Sequence, residues 1–186
     1  PQQLILRLGP YQTGAKTNLR FLRAGKERAV AVTLVARPSE LELLKGEALS
    51  RSLKEELAQL RPVSAAPLGT SGKVVVLEFW ATWCGACRLA ESTLLQWQNE
   101  FGQNGLLVVS VTTETESDVR AFLQQNPLLT TVVLDRDAKL SGALMVTALP
   151  TLLVVDRQGR VVHVHVGAGN LDGVKSAFLP LIGKSK

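Results

Sequence analysis

From residue 74 onward, the chain alternates between continuous apolar runs and segments with helical periodicity. The apolar runs are rich in β-branched residues and predict buried strands at 74–79, 106–111, 131–135, 151–156 and 161–166. Helical spacing of apolar residues predicts helices at 89–101, 118–125, 138–145 and 171–179. This order predicts an α/β fold in which strands joined by helical crossovers pair in parallel, and the last two strands form an antiparallel hairpin.

The first third of the chain has a different pattern. Apolar and polar residues alternate at 17–23 and 28–35, on either side of a turn, and predict a β-hairpin. A short helical lead-in is predicted at 1–8. Leucines at helical spacing predict a connecting helix at 38–61, and a stretch rich in Pro, Gly, Ser and Ala predicts a linker at 62–72. We therefore expect an appendage at 1–37, followed by the connecting helix, the linker and an α/β domain at 73–186.

Composition and charge narrow the function classes. The chain has 186 residues, of which 46% are hydrophobic and 20% charged, and its net charge is +5. Residues 1–62 contain 11 basic and 6 acidic residues, whereas residues 63–186 contain ten of each. The basic residues are dispersed and not interleaved with aromatic residues, so we expect no nucleic-acid partner. The start at Pro1 without a methionine indicates a mature or shortened chain, so we expect any targeting sequence to lie outside it.

The only two cysteines, Cys84 and Cys87, lie where the strand at 74–79 gives way to a helix. A helix N-terminus stabilises a thiolate through its backbone N–H groups and its dipole. We therefore interpret the pair as a dithiol/disulfide redox site. We expect Cys84 to be the exposed attacking nucleophile and Cys87, one turn further in, to be the more buried resolving thiol. Glu78 lies within the apolar strand, where an ionised carboxylate is costly unless it has a partner or a role.

The segment from Phe79 to Cys87, FWATWCGAC, resembles the active-site segment of thioredoxin-like proteins, in particular the TlpA/ResA type of extracytoplasmic thiol oxidoreductase. The resemblance covers about residues 68–186, and the strand and helix at 131–145 match the central insertion of that type. It implies a thioredoxin-like fold and a thiol-disulfide oxidoreductase that uses no cofactor and no metal. It also implies protein thiol or disulfide substrates, a redox partner protein and an extracytoplasmic location, in the periplasm or facing outward from a membrane tether elsewhere in a full-length chain.

The same resemblance implies roles for further residues. Leu149 and Pro150 match the family's cis-proline segment, which binds the backbone of an extended substrate, and Trp83 matches an aromatic residue that shields the disulfide. Glu78 matches a buried acid that accepts or relays the proton of Cys87, since burial raises the pKa of a carboxyl group. Glu91 resembles an acidic residue near the same place in the C-terminal domain of the DsbD electron-transfer proteins, and a solvent-facing glutamate is an equally good interpretation.

Two questions stay open at this level. Residues 1–37 resemble the last part of a PDZ domain of the protease-associated kind, and a generic hairpin is the alternative.

Gly85 and Ala86 separate the cysteines in place of the Gly-Pro of thioredoxin, so the direction of electron flow is open. We favour a disulfide reductase. The alternatives are a disulfide oxidase or isomerase, or a redox-silent binding module. His163 and His165 share a strand face. A two-histidine metal site is the alternative there, but it lacks further ligands, so we favour histidines without a metal.

Overall fold

A computed structural model of the chain describes residues 16–23, 25–33, 53, 55–57, 60, 62–63, 68–126 and 130–183. The predicted lead-in at 1–8 and most of the connecting helix lie outside these residues. The described strands are β1 (Lys16–Arg23), β2 (Lys26–Thr33), β3 (Val74–Phe79), β4 (Leu106–Thr112), β5 (Thr131–Leu134), β6 (Thr151–Val155) and β7 (Val161–Val166). The α-helices of four residues or more are α1 (Gly85–Phe101), α2 (Glu116–Gln125), α3 (Lys139–Ala143) and α4 (Asp172–Phe178), and short 3₁₀ turns cover Gly102–Asn104 and Leu179–Leu181.

The chain divides into two compact units, residues 1–39 and 40–186. In the first unit, β1 and β2 pair antiparallel through a turn at Gly25, whose φ of 72° favours glycine. The turn is shorter than predicted, because β2 begins at Lys26 and not at residue 28. None of the hairpin side chains whose exposure is described is buried.

In the second unit, the sheet has the strand order β5-β4-β3-β6-β7. The pairs β3–β4 and β4–β5 are parallel, whereas β6 is antiparallel to both β3 and β7. Strand β3 is central and fully buried, and β4 is buried along its whole length. Both segments therefore lack the polar alternation of a strand with one solvated face.

Helices cover both faces of this sheet, and strand alternation sends the side chains of β3 to the two faces in turn. On one face Val74 and Val76 pack with α1 and α4 through Leu94, Trp97 and Phe178. The opposite face packs against α3 and against Leu53 and Leu57, two residues of the predicted connecting helix that are helical and buried. The fold is thioredoxin-like, and β5 and α3 lie within the predicted strand and helix at 131–145.

Part of the predicted linker contacts the sheet. The N–H of Val63 donates to the carbonyl of Val132 (2.8 Å), and Pro62 forms an isolated antiparallel bridge with Val133. Val63 and Leu68 are buried. This part of the chain therefore covers the edge strand β5, which a composition rich in turn-forming residues does not reveal. Among the described residues, no helix is both long and apolar enough to cross a membrane.

The helix boundaries differ from the sequence prediction by a few residues. Helix α2 begins two residues earlier than predicted, because Thr115 is its N-cap and accepts a hydrogen bond from the N–H of Asp118 (3.3 Å). Helix α3 is shorter than the predicted 138–145. It ends before Met145, whose φ of 52° is incompatible with a continued helix.

Candidate active site

The two cysteines lie at the N-terminus of α1, in the loop that follows β3. Cys84 is the N-cap of α1, and its Sγ accepts a hydrogen bond from the N–H of Cys87 (3.2 Å). The two sulfur atoms are bonded to each other at 2.06 Å. Buried residues along α1 recur three or four positions apart, so Cys87 continues the buried stripe that fixes the helix on the sheet.

The predicted difference in exposure between the cysteines is wrong for the disulfide form. Cys84 is 5% exposed and Cys87 is 4% exposed. Both belong to a small apolar cluster with Trp80, Val119 and Val132, so the neighbouring elements cover Cys84 as well as Cys87. The difference between the two sulfurs is their place on the helix: Cys84 caps the terminus, and Cys87 lies one turn inside it.

Glu78 is buried next to this pair, with a relative exposure of 5%. The pleat places it on the face of β3 that carries Val74 and Val76, which is the face covered by α1. The hydroxyl of Ser110, its register partner on β4, donates to Oε2 of Glu78 (2.9 Å). Burial raises the pKa of Glu78 from its usual 4.5 to about 7; the Ser110 hydrogen bond opposes this rise, and the charge of Glu91 adds to it.

Glu78, Cys84, Cys87 and Glu91 line one small cavity of about 10 Å³, together with Trp80, Ala81, Arg88 and Phe122. This volume is close to the minimum that one water molecule needs. Burial raises the pKa of Glu91, and the charge of Arg88 opposes that rise. The indole N–H of Trp80 is buried and has no hydrogen-bond partner among the described residues. The site therefore combines two sulfurs, a carboxyl group that titrates near neutral pH and space for about one water.

A second, larger space lies on the other side of the CxxC loop, the segment from Trp80 to Cys84 that joins β3 to α1. It is a groove of about 350 Å³ between the CxxC loop, the β4–α2 loop and the segment before β6. Trp83 and Leu149 line it, together with Glu114, Thr113 and Val146. Trp83 is 74% exposed, so its ring extends into solvent beside the buried disulfide.

The predicted proline lies at the start of β6. The Leu149–Pro150 bond is cis. The hydroxyl of Thr151 donates to the carbonyl of Ala148 (2.7 Å), and the N–H of Gly167 donates to the carbonyl of Pro150 (2.8 Å). These two hydrogen bonds fix the backbone on both sides of Leu149. Leu149 packs beside the cluster that contains the cysteines.

The structure brings most of the predicted residues to one edge of the sheet. Cys84, Cys87 and Glu78 share the small cavity, and Trp83 and Leu149 share the groove. The two histidines lie elsewhere. The imidazole of His163 lies beside Gly173 of α4. Burial lowers the pKa of His163, and the charge of His165 lowers it further. Within the described part of the chain, no three His, Cys, Asp or Glu side chains cluster in a way that could hold a metal ion.

The sequence interpretation missed Ser110 and Glu114. Ser110 is the one polar residue in the apolar run at 106–111, which marks it as a partner for Glu78. Glu114 lies in the polar loop after β4. The carboxyl ends of adjacent parallel strands meet at the same edge of a sheet, so this loop had to lie near the CxxC loop.

Residues 47–164 match the family model described as the AhpC/TSA family. The chain belongs to the AhpC/TSA family. Among curated proteins, this AhpC/TSA member is 32% identical over 97 residues to the thiol-disulfide oxidoreductase ResA of Bacillus cereus, a match that covers 52% of the chain and 56% of that protein. It is 29% identical over 112 residues to ResA of Halalkalibacterium halodurans, covering 60% of the chain and 63% of that protein. The chain thus spans little more than half the length of the curated relatives it matches.

Solved structures agree with the thioredoxin-like fold. A Chlorobium tepidum protein assigned as a thiol:disulfide interchange protein DsbE is 33% identical and superposes with a TM-score of 0.56, covering 60% of this chain and 82% of that one. The exposed lipoprotein thioredoxin of Streptococcus pneumoniae superposes with a TM-score of 0.60 at 24% identity, covering 66% and 97%. The second likeness concerns the fold alone. Together they support the thioredoxin-like fold of this AhpC/TSA family member.

Proposed function

We propose that this chain is a thiol-disulfide oxidoreductase that reduces protein disulfides through Cys84 and Cys87. The observation that carries the proposal is the bonded cysteine pair at the start of α1, with a buried carboxyl group lining the same cavity. The resemblance of the matched region to proteins named thiol-disulfide oxidoreductase supports it. If the domain were a redox-silent scaffold, the buried carboxyl group of Glu78 would have no role.

The exchange proceeds in two steps once the pair is reduced. The Cys84 thiolate attacks one sulfur of a substrate disulfide, forming a mixed disulfide and releasing the other substrate sulfur as a thiolate. The Cys87 thiolate then attacks the Sγ of Cys84, which re-forms the Cys84–Cys87 disulfide and releases the second substrate sulfur as a thiolate. Two electrons pass to the substrate, and a redox partner protein must return two electrons to the pair.

Glu78 accepts the proton that Cys87 loses in the second step. The two side chains line one cavity with room for about one water molecule, through which a proton can pass. A carboxyl group with a pKa of about 7 is ionised in about half of the molecules at neutral pH, and it takes up and releases protons readily there. Glu78 is therefore assigned as a catalytic residue together with the two cysteines.

Trp83, Leu149 and Pro150 form the substrate-binding part of the proposal. Leu149 lies outside the strands, and no backbone hydrogen bond from another described residue engages its N–H or its carbonyl. An extended substrate can therefore pair with this backbone as an added strand does. The exposed ring of Trp83 supplies apolar contact area beside Cys84.

We further propose that the protein acts outside the cytoplasm on protein substrates, as the TlpA/ResA resemblance implies. A fusion of the full-length gene to a reporter that is active only in an oxidising compartment tests this location. Activity only in a cytoplasmic reporter would contradict it. A reductase also needs a strongly negative reduction potential, which equilibration with glutathione buffers measures. A potential close to that of known oxidants would instead favour the oxidase or isomerase.

Reduction of insulin disulfides by dithiothreitol tests the central proposal. The wild type should accelerate insulin precipitation, and Cys84→Ser should reduce the rate to that of dithiothreitol alone. Cys87→Ser keeps the nucleophile and lacks the resolving thiol, so it should accumulate a mixed disulfide with a chromogenic aryl disulfide, detectable by mass. Equal rates for the wild type and Cys84→Ser would refute the proposed function.

The domain organisation is also a proposal: a partial PDZ-like segment at 1–37, a connecting helix at 38–61, a linker at 62–72 and a thioredoxin-like domain at 73–186. The division of the chain at residue 39 supports a separate N-terminal segment. The burial of Leu53 and Leu57 with the second unit favours cleavage before the connecting helix. Limited proteolysis of the full chain should therefore remove residues up to about 39 and leave insulin reduction intact. Loss of activity in step with this cleavage would contradict it.

A further inference from the structure

The loop that carries the cysteines is attached to a side chain from another segment, Glu114 of the β4–α2 loop. The backbone N–H of Thr82 donates to Oε2 of Glu114 (2.6 Å), and the Thr82 hydroxyl donates to Oε1 (2.7 Å). Thr82 lies two residues before Cys84. Both carboxylate oxygens of Glu114 thus bind one residue of the CxxC loop, and hydrogen bonds to a charged acceptor are stronger than neutral ones.

Glu114 is itself held in place. The hydroxyl of Thr112 donates to Oε2 of Glu114 (3.2 Å), and the N–H of Glu114 donates back to that hydroxyl (3.3 Å). Thr112 is buried at the end of β4, and its carbonyl accepts from the N–H of Asp135 (2.8 Å). The carboxylate is therefore anchored to the buried end of β4.

The other attachments of the CxxC loop leave its middle unsupported. The N–H of Trp80 donates to the carbonyl of Val111 (3.0 Å), and the N–H of Cys84 donates to the carbonyl of Ala81 (2.9 Å). The first bond fixes the start of the loop to β4, and the second only closes a turn within the loop. Among the described hydrogen bonds, those of Thr82 to Glu114 are the ones that tie the middle of the loop to another segment.

We infer that Glu114 is a positioning residue for thiol-disulfide exchange: by holding Thr82, it fixes the direction of Trp83 and the approach to Cys84. This inference rests on the proposed function. A reacting sulfur must line up with the substrate disulfide, and an attacking group that is already oriented reacts faster than one that must first be ordered. Glu114 and Trp83 also line the same groove, so the attachment lies beside the side chain that is assigned to substrate binding.

Four variants separate positioning from charge and from simple stability. Glu114→Ala removes both acceptors. Glu114→Gln removes the charge, but its amide can still accept from the Thr82 N–H and donate to the Thr82 hydroxyl. Thr82→Val removes only the hydroxyl donor, and Thr82→Ser keeps both donors. Glu116→Ala is the matched control, since its carboxylate pairs with Arg120 on the same helix and does not contact Thr82.

The first measurement is the rate constant for insulin reduction per titrated active thiol, at a temperature at which circular dichroism shows each variant folded. We expect Glu114→Ala to lower it about 10-fold and Thr82→Val about 3-fold, since each lost bond involves a charged acceptor. Glu114→Gln and Thr82→Ser should recover most of the wild-type rate, and Glu116→Ala should equal it. Adding Thr82→Val to Glu114→Ala should cost nothing further, because the hydroxyl acts through the carboxylate.

The second measurement is hydrogen exchange at the Thr82 amide, which does not depend on enzyme activity. Its protection should fall at least about 10-fold in Glu114→Ala and persist in Glu114→Gln. If wild-type protein fails to reduce insulin, the proposed function fails while this measurement still tests the attachment. Wild-type reduction rates in Glu114→Ala would overturn the inference. Glu114→Gln as slow as Glu114→Ala, or an unchanged Thr82 amide in Glu114→Ala, would do so too. If Glu114→Ala does not fold, the insulin reduction rates of Thr82→Val and Thr82→Ser are compared instead, and equal rates would overturn the inference.

Discussion

Two glutamates lie on opposite sides of the CxxC loop, and each has a different environment. Glu78, on the cavity side, is almost fully buried, and within the described residues its carboxylate has one hydrogen-bond donor, the hydroxyl of Ser110. Glu114, on the groove side, is half-buried and accepts from three donors. Because Glu78 is buried with a single hydrogen-bond donor, its carboxyl group exchanges a proton near neutral pH. The three donors around Glu114 instead hold its carboxylate in place as a hydrogen-bond acceptor.

Both contacts arise from one alignment of two strands. In the parallel β3–β4 pair, Glu78 lies opposite Ser110, at a separation of 32 residues. Thr82 and Glu114 are also 32 residues apart, so their contact continues the same register beyond the strand ends. A single register therefore supplies the donor on the cavity side and the acceptor on the groove side. Two glutamates thus acquire different roles through their different burial and their different numbers of hydrogen-bond donors.

The largest expected effect concerns Glu78, on the cavity side, and the free energy of unfolding of the chain. Below pH 4.5, Glu78 is protonated in both the folded and the unfolded chain. As the pH rises from 4.5 to about 7, the unfolded chain ionises first, so the free energy of unfolding falls, and it levels off above pH 7. A rise of this size corresponds to about 3 kcal/mol.

Chemical denaturation of the disulfide form between pH 4 and pH 8 measures this loss. Glu78→Gln has no ionisable group at this position and should lack the contribution. Glu100→Gln, at an exposed position on α1, should behave as the wild type. Parallel stability curves for wild type and Glu78→Gln would show that Glu78 does not carry the predicted shift.

The second effect concerns the rate of exchange. Glu78→Gln cannot accept the proton of Cys87, so we expect insulin reduction at pH 7 to fall by about 100-fold, the lower end of the usual range for general acid–base catalysis. The wild-type rate should also rise with pH through an inflection near 7, and the variant should lose that inflection. Measuring the second-order rate constant from pH 5 to pH 9 decides this. An unchanged profile in Glu78→Gln would remove Glu78 from the mechanism.

A smaller change sharpens the role of burial. The Ser110 hydroxyl stabilises the ionised form of Glu78 and so lowers its pKa. Ser110→Ala should raise the pKa further, and the inflection in the rate profile should move upward by about one pH unit, because a hydrogen bond to a charged group contributes about 1.5 kcal/mol or more. Ser117→Ala, in an exposed position, is the control. A shift to lower pH would contradict the assigned cause.

The smallest effect belongs to the groove side. Trp83→Ala should raise KM for a protein disulfide about 3-fold to 10-fold, since an aromatic contact is worth about 0.5–1.5 kcal/mol. It should leave the rate constant for alkylation of reduced Cys84 by iodoacetamide within about 2-fold, because a small reagent needs no such contact. Leu89→Ala, at an exposed apolar residue of α1, controls for surface hydrophobicity. Equal losses in both assays would assign Trp83 to the chemistry and not to binding.

The sequence predicted much of the fold because the relevant signals are local. The apolar run of β3 and the buried stripe of α1 each fit within one element. Two cysteines three positions apart at a strand-to-helix junction need no tertiary information to be recognised. The strand and helix at 131–145 follow from the same periodicity. The boundaries were less accurate, because the N-cap at Thr115 and the backbone of Met145 depend on specific turns.

The candidate site was predicted less completely. The sequence interpretation identified Glu78 as a carboxyl group in an apolar strand, but it could not supply Ser110 as its donor. It also predicted unequal exposure of the cysteines, which are equally buried because Trp80, Val119 and Val132 come from three separate segments to cover them. Glu114 in its polar loop has no local feature that separates it from Glu116.

The sequence by itself therefore determined the class of fold, the cysteine pair at a helix start and the proline before β6. Each of these follows from residues that are neighbours along the chain. Only the tertiary structure decided which side chains meet, because the β3–β4 register joins positions 32 residues apart and a linear pattern does not contain that register. The same register gives Glu78 its donor and Thr82 its acceptor, and so gives the two sides of the CxxC loop their different chemistry.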